Sequence, residues 1–305
     1  MNTLTKNILD GIISENKIST LTAINVIDKI RIIVKQYVVD NNMKSLVIGV
    51  SGGLDSAVVA AICQEKYIGV PLIGISIPMS SSNAHKEQAQ WVGNTFCSVF
   101  QEFDAWDELI PKENNIAGLI YQPFYDNFFN RLEMTDKLAK DAGFEINKFP
   151  TNILQGNMKA RIRMITLYDL ARKTNGMVLS TDNLSEFQMG FWTICGDVGD
   201  YGPIQNISKG IELPIIADAL EVRDDIISQQ PSDGLMVTED DTDEAQLGAT
   251  YKYVDAIMIA YTDSDYYNYN QIKNDPIVEG IINRFNGTQY KRNGTINLTR
   301  KEIGI

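Results

Sequence analysis

Ser51-Gly52-Gly53-Leu54-Asp55-Ser56 separates two apolar runs, residues 46–50 before it and 57–63 after it. The first run is short and reads as a buried parallel strand, and the second continues as a helix. A turn of small residues between a strand and a helix offers backbone N–H groups and the positive end of a helix dipole to an anion. Gly52 and Gly53 carry no Cβ that would hold a phosphate away, and Ser51 and Ser56 add hydroxyl donors. Asp55 is the odd member, because a carboxylate repels phosphate unless a divalent cation lies between them. The segment therefore points to a nucleotide phosphate chain held with Mg²⁺. It is not a Walker A loop, since no Gly-Lys-Ser/Thr ending places a lysine on the outer phosphates, and it is not Gly-x-Gly-x-x-Gly either. The simpler alternative is a turn closing a strand, with Asp55 as a helix cap.

A second carboxylate, Glu186, falls after another short apolar run, so it is expected at the end of a neighbouring strand. Two carboxylates placed there can share one hard cation through oxygen ligands. His85 is the single histidine. It follows a serine run at a helix start, which suits a solvated or capping role better than acid–base catalysis. Cys63, Cys97 and Cys195 are an odd number and widely spaced. They form no disulfide framework and no zinc pattern, and read as buried inert thiols in a reducing, cytoplasmic setting. The acidic stretch 239–244 reads as a solvated loop.

These groups need a scaffold. Ala23, Ile27, Ile30, Val34 and Tyr37 recur at helical spacing, predicting a helix over 20–41. Strands are expected at 45–50, 71–77, 99–103 and 177–180. Helices are expected near 84–96, 121–142 and 155–173, with Asn175-Gly176 stopping the last. Strands alternating with helices imply an α/β chain with a doubly wound parallel sheet flanked by helices, whose ligands lie beyond the carboxyl ends of the strands. No repeat or linker divides residues 1–305, so one domain is expected, with amino-terminal helices over 1–44.

Net charge is −12, which disfavours a nucleic-acid partner. No apolar run approaches the roughly 20 residues of a membrane span, and the first residues carry no signal-peptide pattern.

The six-residue loop resembles the Ser-Gly-Gly-x-Asp-Ser loop of the ATP pyrophosphatase superfamily, whose members cleave ATP between the α- and β-phosphates. Three further segments narrow the resemblance. They are Gly156-Asn-Met-Lys-Ala-Arg161-Ile-Arg-Met164; Leu179-Ser-Thr181-Asp-Asn-Leu-Ser-Glu186, followed by Gly190-Phe191 and Gly196-Asp197; and Pro231-Ser232-Asp233, followed by Asp243-Glu244-Ala-Gln-Leu-Gly248-Ala-Thr-Tyr251. Together they look like ammonia-dependent NAD synthetase, from the amino-terminal helices to Tyr290-Lys291-Arg292.

The resemblance implies an adenine nucleotide alpha hydrolase-like fold and the ATP-dependent amidation of deamido-NAD by ammonia. It also implies an acyl-adenylate intermediate, release of AMP and pyrophosphate, Mg²⁺, and a homodimer. It assigns ATP to Gly49, Val50, Ser51, Gly52, Gly53, Leu54, Asp55, Ser56, Thr181, Lys209 and Ser232. It assigns the metal to Asp55 and Glu186, catalysis to Asp55, Glu186 and Lys209, and deamido-NAD to Arg161, Asp200, Tyr290 and Lys291. Arg163, two residues from Arg161, cannot share its helix face and is assigned a structural role. Two departures stand out: many members have lysine where Ile194 stands, and some have arginine where Ser76 stands. The stretch before Ser45 is too short for a glutaminase domain, since domains run about 100–200 residues. A nucleic-acid-thiolating adenylase would need paired cysteines and a basic surface. A non-catalytic nucleotide-binding protein would have no need of both Asp55 and Glu186.

Overall fold

The computed structural model describes residues 1–78, 82–102, 135, 137–145, 151–231, 242–264, 266–267, 269–294 and 298–300. Four parallel strands form one sheet in the order β3-β2-β1-β4: β1 Leu46–Gly49, β2 Leu72–Ser76, β3 Val99–Glu102 and β4 Met177–Val178. In register, Leu46 lies opposite both Leu72 and Met177, and Ile73 opposite Val99. The doubly wound arrangement follows from alternation along β1. Leu46 and Ile48 pack on one face with helices α2 (Thr20–Asp40), α3 (Leu54–Ile62) and α4 (Asn83–Phe96). Val47 faces the other way, onto Met164, Leu167 and Ala171 of α5 (Thr151–Lys173). Buried apolar side chains on both faces are what a central parallel strand requires.

The helix starts are written locally. Ser19 accepts a hydrogen bond from the Thr22 backbone N–H, and Ser82 from that of His85, so each satisfies a donor that the first helical turn leaves open. Helix α2 follows the predicted stripe at Ala23, Ile27, Val34 and, in part, Ile30, whereas Tyr37 is exposed. Ala23, Ile27, Val34 and Val38 are buried, while Leu21, Ile32, Ile33 and Val39 remain exposed.

Strand β4 is shorter than the run 177–180. Leu179 N–H still donates to the Val47 carbonyl, while on the other edge the Asp200 carboxylate takes the Val178 N–H at 3.1 Å and Leu179 bridges to Tyr201. Helix α5 begins four residues before its expected start at 155. The predicted helix over 121–142 lies mostly outside the described residues. Beyond the sheet, a second apolar cluster unites Leu9 and Ile12 of α1 (Thr3–Glu15), Val254, Ile257 and Met258 of α7 (Tyr251–Thr262), and Val278 and Ile281 of α8 (Pro276–Gly287). Among the described residues no helix is long and apolar enough to cross a membrane.

Candidate active site

The phosphate-loop segment leaves β1 and enters α3 with Gly53 as N-cap, which puts Asp55 in the first helical turn. The loop is internally braced. Ser56 Oγ lies 3.1 Å from Ser51 Oγ and donates to the Gly53 carbonyl at 3.0 Å, while Gly53 N–H donates to Ser51 Oγ. Gly52 has φ +86°, and a Cβ there would sit 2.3 Å from the His85 carbonyl oxygen. Its glycine is thus required by the fold, for backbone twist and for close approach of α4. Gly53 is different: a Cβ would meet only Ser51 Oγ, at 3.4 Å. Its missing side chain leaves open the space where an anion would approach.

Opposite this loop, Thr181-Asp182-Asn183 runs from β4 into a short helix, α6 (Leu184–Met189). Asn183 is fully buried and does two jobs. Its Oδ1 accepts the Glu186 N–H at 3.0 Å, and its Nδ2 donates to Asp55 Oδ1 at 2.8 Å. Lys209 brings in a third segment. Its Nζ lies 2.6 Å from Glu186 Oε1, 3.0 Å from Asp55 Oδ2 and 3.7 Å from Asp243 Oδ2. The Lys209 backbone is fixed from behind, where its N–H donates to Ser185 Oγ. That hydroxyl donates in turn to Asp255, which also accepts the Gly210 N–H.

The electrostatics follow from burial. Desolvation pushes Glu186 up to about 8, against the opposing pull of Lys209. Burial disfavours charge on Lys209 as well, but the Asp55 and Glu186 carboxylates outweigh it and hold its pKa well above the ordinary lysine value. Two carboxylates already converge on one cation. Oxygen donors so placed fit a hard divalent ion, and Asp55 and Glu186 are the pair that would hold Mg²⁺. Among the described residues, no group of three carboxylate, imidazole or thiolate side chains is arranged to hold a metal by protein ligands alone. A Mg²⁺ here would keep waters or phosphate oxygens in its remaining positions.

These groups line one cavity of about 670 Å³ at the carboxyl ends of the strands. Of the residues assigned from sequence, Gly49, Val50, Ser51, Gly53, Asp55, Thr181, Glu186, Lys209 and Lys291 reach its wall. Gly52, Leu54 and Ser56 support the loop from behind. Ser232 lies outside the described residues.

Three residues assigned to deamido-NAD, Arg161, Asp200 and Tyr290, lie off this wall. Arg163, given a structural role from sequence, lines the cavity, with its Nε donating to the Ile77 carbonyl at 3.1 Å. Arg161 does not reach the wall and donates instead to the Ile194 carbonyl. Asp200 also turns away. It accepts hydrogen bonds from the Tyr168 hydroxyl and the Val178 N–H, and so serves the sheet edge. Asp197 takes its place on the wall; burial pushes it up to about 6, opposed by the Thr193 N–H and by Lys291. Tyr290 is 59 % exposed and off the cavity, whereas Lys291 enters it and donates to the carbonyls of Gly190 and Trp192. Ile194 is exposed and off the wall, and Ser76 is buried on it.

His85 is half-buried on the cavity wall between Ser82 and Gln229 rather than solvated, and burial lowers its pKa. Burial pushes the thiols of Cys63 and Cys97 up to about 12, whereas Cys195 is exposed. Asp243, expected in a solvated loop, is buried and accepts the Tyr251 hydroxyl. Asp182, Asp197 and Asp243 line the cavity and Asn183 braces Asp55, and none of the four was assigned a site role from sequence. Their signal was present as position within the quoted segments, but neither spacing nor residue type distinguished them from loop polarity.

The family model described as NAD synthase matches residues 26–110 and 111–295. An NH3-dependent NAD(+) synthetase of Thermococcus sibiricus is 33 % identical over 239 residues, which cover 78 % of this chain and 81 % of that protein. Among solved structures, an NMN synthetase from Francisella tularensis superposes with TM-score 0.68 at 24 % identity, covering 91 % of this chain and 98 % of that one. An NH3-dependent NAD synthetase from Campylobacter jejuni superposes with TM-score 0.64 at 22 % identity over the same shares. Both share the parallel-sheet fold.

Proposed function

The chain belongs to the NAD synthase family, and we propose that it amidates deamido-NAD to NAD with ammonia at the expense of ATP. The observation that carries this reading is the meeting of Asp55, Glu186 and Lys209 from three separate segments in one cavity, which Arg163, Asp197 and Lys291 also line. The first group suits a triphosphate, and the second a substrate bearing phosphates and a carboxylate.

The chemistry divides into two displacements. A nicotinate carboxylate oxygen attacks the α-phosphorus of ATP, and the bond from that phosphorus to pyrophosphate breaks. Ammonia then attacks the acyl carbon of the resulting acyl-adenylate. The C–O bond breaks, AMP leaves with the electron pair, and the nitrogen sheds a proton. Activation is needed because an oxide ion is a poor leaving group. The protein's part is positioning and charge neutralisation. The serine-braced loop orients the phosphates, and Thr181 adds a hydroxyl donor beside them. Asp55 and Glu186 would hold Mg²⁺, which would supply positive charge to the phosphate oxygens, and Lys209 beside them would add its own. Arg163 and Lys291 present cations to the deamido-NAD. No thiol is needed as a nucleophile, since Cys63 and Cys97 are held protonated and Cys195 lies off the cavity wall.

The exposed apolar side chains Leu21, Ile32 and Val39, which share one face of α2, support a homodimer, and ATP use with free thiols supports a cytoplasmic setting. The test supplies the purified chain with ATP, Mg²⁺, deamido-NAD and either ammonium chloride or ammonia-free glutamine. NAD, AMP and pyrophosphate in equal amounts with ammonium alone are expected. ADP and phosphate as products, or efficient synthesis from glutamine, would overturn the reading.

A further inference from the structure

Asp182 has no role in the chemistry above, yet it is placed like a ligand-binding group. It lines the cavity between Thr181 and Asn183 and is only 6 % exposed. Its Oδ2 is buried with no hydrogen-bond partner among the described residues. An unsatisfied carboxylate oxygen in such a place costs stability, because the group has lost water and gained nothing. Three other carboxylates, Glu186, Asp197 and Asp55, act on it unfavourably; Lys209 and Lys291 offset them, but Lys291 spends its hydrogen bonds on the Gly190 and Trp192 carbonyls. Lys209 is already shared among Asp55, Glu186 and Asp243. What the position lacks is a compact donor of N–H or positive charge.

We propose that Asp182 Oδ2 accepts an N–H of the incoming nitrogen and so holds ammonium or ammonia beside the acyl carbon. The assignment rests on the amidation proposed above. The alternatives fit less well. Phosphate or nicotinate carboxylate oxygens would be repelled by the surrounding acids. Ammonia brings several N–H donors on a single heavy atom and leaves no bulk to accommodate.

The experiment measures steady-state kinetics of Asp182→Ala and Asp182→Asn with ammonium chloride varied at saturating ATP and deamido-NAD. It adds deamido-NAD-dependent exchange of labelled pyrophosphate into ATP, a half-reaction that needs no ammonia. The KM for ammonium should rise about tenfold or more in the alanine variant. The KM values for ATP and deamido-NAD, and the exchange rate, should stay within about twofold. The alanine variant should unfold at no lower temperature than the parent, because a buried oxygen without a hydrogen-bond partner is gone. The asparagine variant carries the same test if the alanine variant fails to fold. An unchanged KM for ammonium overturns the assignment, as does an increased Mg²⁺ requirement, which would make Asp182 a metal ligand. Absence of exchange in the parent protein would overturn the amidation reading itself, and Asp182's role with it.

Discussion

Asn183 Nδ2 donates to Asp55 Oδ1 at 2.8 Å, joining two strand ends that lie 128 positions apart in the chain. The same side chain caps α6 through Glu186 N–H. One buried amide therefore holds the Asp55 carboxylate and the Glu186 backbone, the two residues that face Lys209. Serine at this position can keep the cap but cannot reach Asp55 with a donor. Asn183→Ser should lose about 1 kcal/mol or less from the cap yet drop kcat/KM by roughly tenfold or more. Thermal unfolding and steady-state kinetics on the same preparation separate the two. Equal, small effects on both would show that Asp55 needs no such support.

Asp55→Asn and Glu186→Gln each preserve shape and remove one charge from the pair around Lys209. Turnover should fall steeply in both, and partial recovery should require higher Mg²⁺, because each lost carboxylate weakens the attraction for a divalent ion. A Mg²⁺ titration of the reaction rate is the measurement. Parent-like turnover of Asp55→Asn at low Mg²⁺ would remove this residue from the metal site.

The two arginines of α5 show why part of the site was hidden in the sequence. Residues two apart on a helix project roughly 200° from one another, so one of Arg161 and Arg163 had to face away. Which one does so depends on how α5 rolls onto Val47 and Val178, a tertiary fact that no local pattern carries. The same holds for Asp197 and Asp200. They lie three residues apart, and Asp200 is held off the cavity by the Val178 N–H and the Tyr168 hydroxyl, partners distant in the chain. The strand–turn–helix around Ser51–Ser56 was legible because its chemistry is local. So was the doubly wound sheet, because buried strands and amphipathic helices alternate in plain view. Lys209 has no local signal, and only the resemblance to a family drew attention to it. Asn183 could not be singled out from sequence, because its partner is so distant in the chain.

Arg163→Ala should raise the KM for deamido-NAD by about tenfold or more, the usual cost of a charge-assisted contact, and leave that for ATP less affected. Arg161→Ala should change neither by more than about twofold. A reversed ranking in the same assay would return the substrate role to Arg161.

Stability should fall as pH rises. Burial lifts Glu186 to about 8, Asp255 to about 7 and Asp197 to about 6 in the folded chain. Between their ordinary values and these raised ones, the folded state binds more protons than the unfolded state, so each increment of pH favours unfolding. Lys209, whose raised pKa contributes stability, stays charged throughout this window and does not alter the slope. The thermal midpoint should be lower near pH 8.5 than near pH 6. Adding Mg²⁺ with ATP should narrow the gap, since the pair Asp55 and Glu186 then has a cation that favours ionisation. A midpoint that rises over this range would contradict the burial of these carboxylates.

Gly52 and Gly53 are neighbours with different constraints. At Gly52 any L-residue must adopt φ +86° and push a methyl group against the His85 carbonyl, 2.3 Å away. That combines an unfavourable backbone conformation with a collision against α4, so Gly52→Ala should cost on the order of 1–3 kcal/mol or more. At Gly53 the φ is −81°, ordinary for alanine, and the nearest neighbour to a Cβ is a serine hydroxyl at 3.4 Å. Gly53→Ala should therefore fold with nearly parent stability. Its methyl group would instead occupy the space where a phosphate approaches the loop, so binding of ATP should weaken. Thermal unfolding and equilibrium ATP binding on the two variants give opposite rankings if the loop is a phosphate cradle. Parent-like ATP affinity in Gly53→Ala would mean that the phosphates lie elsewhere.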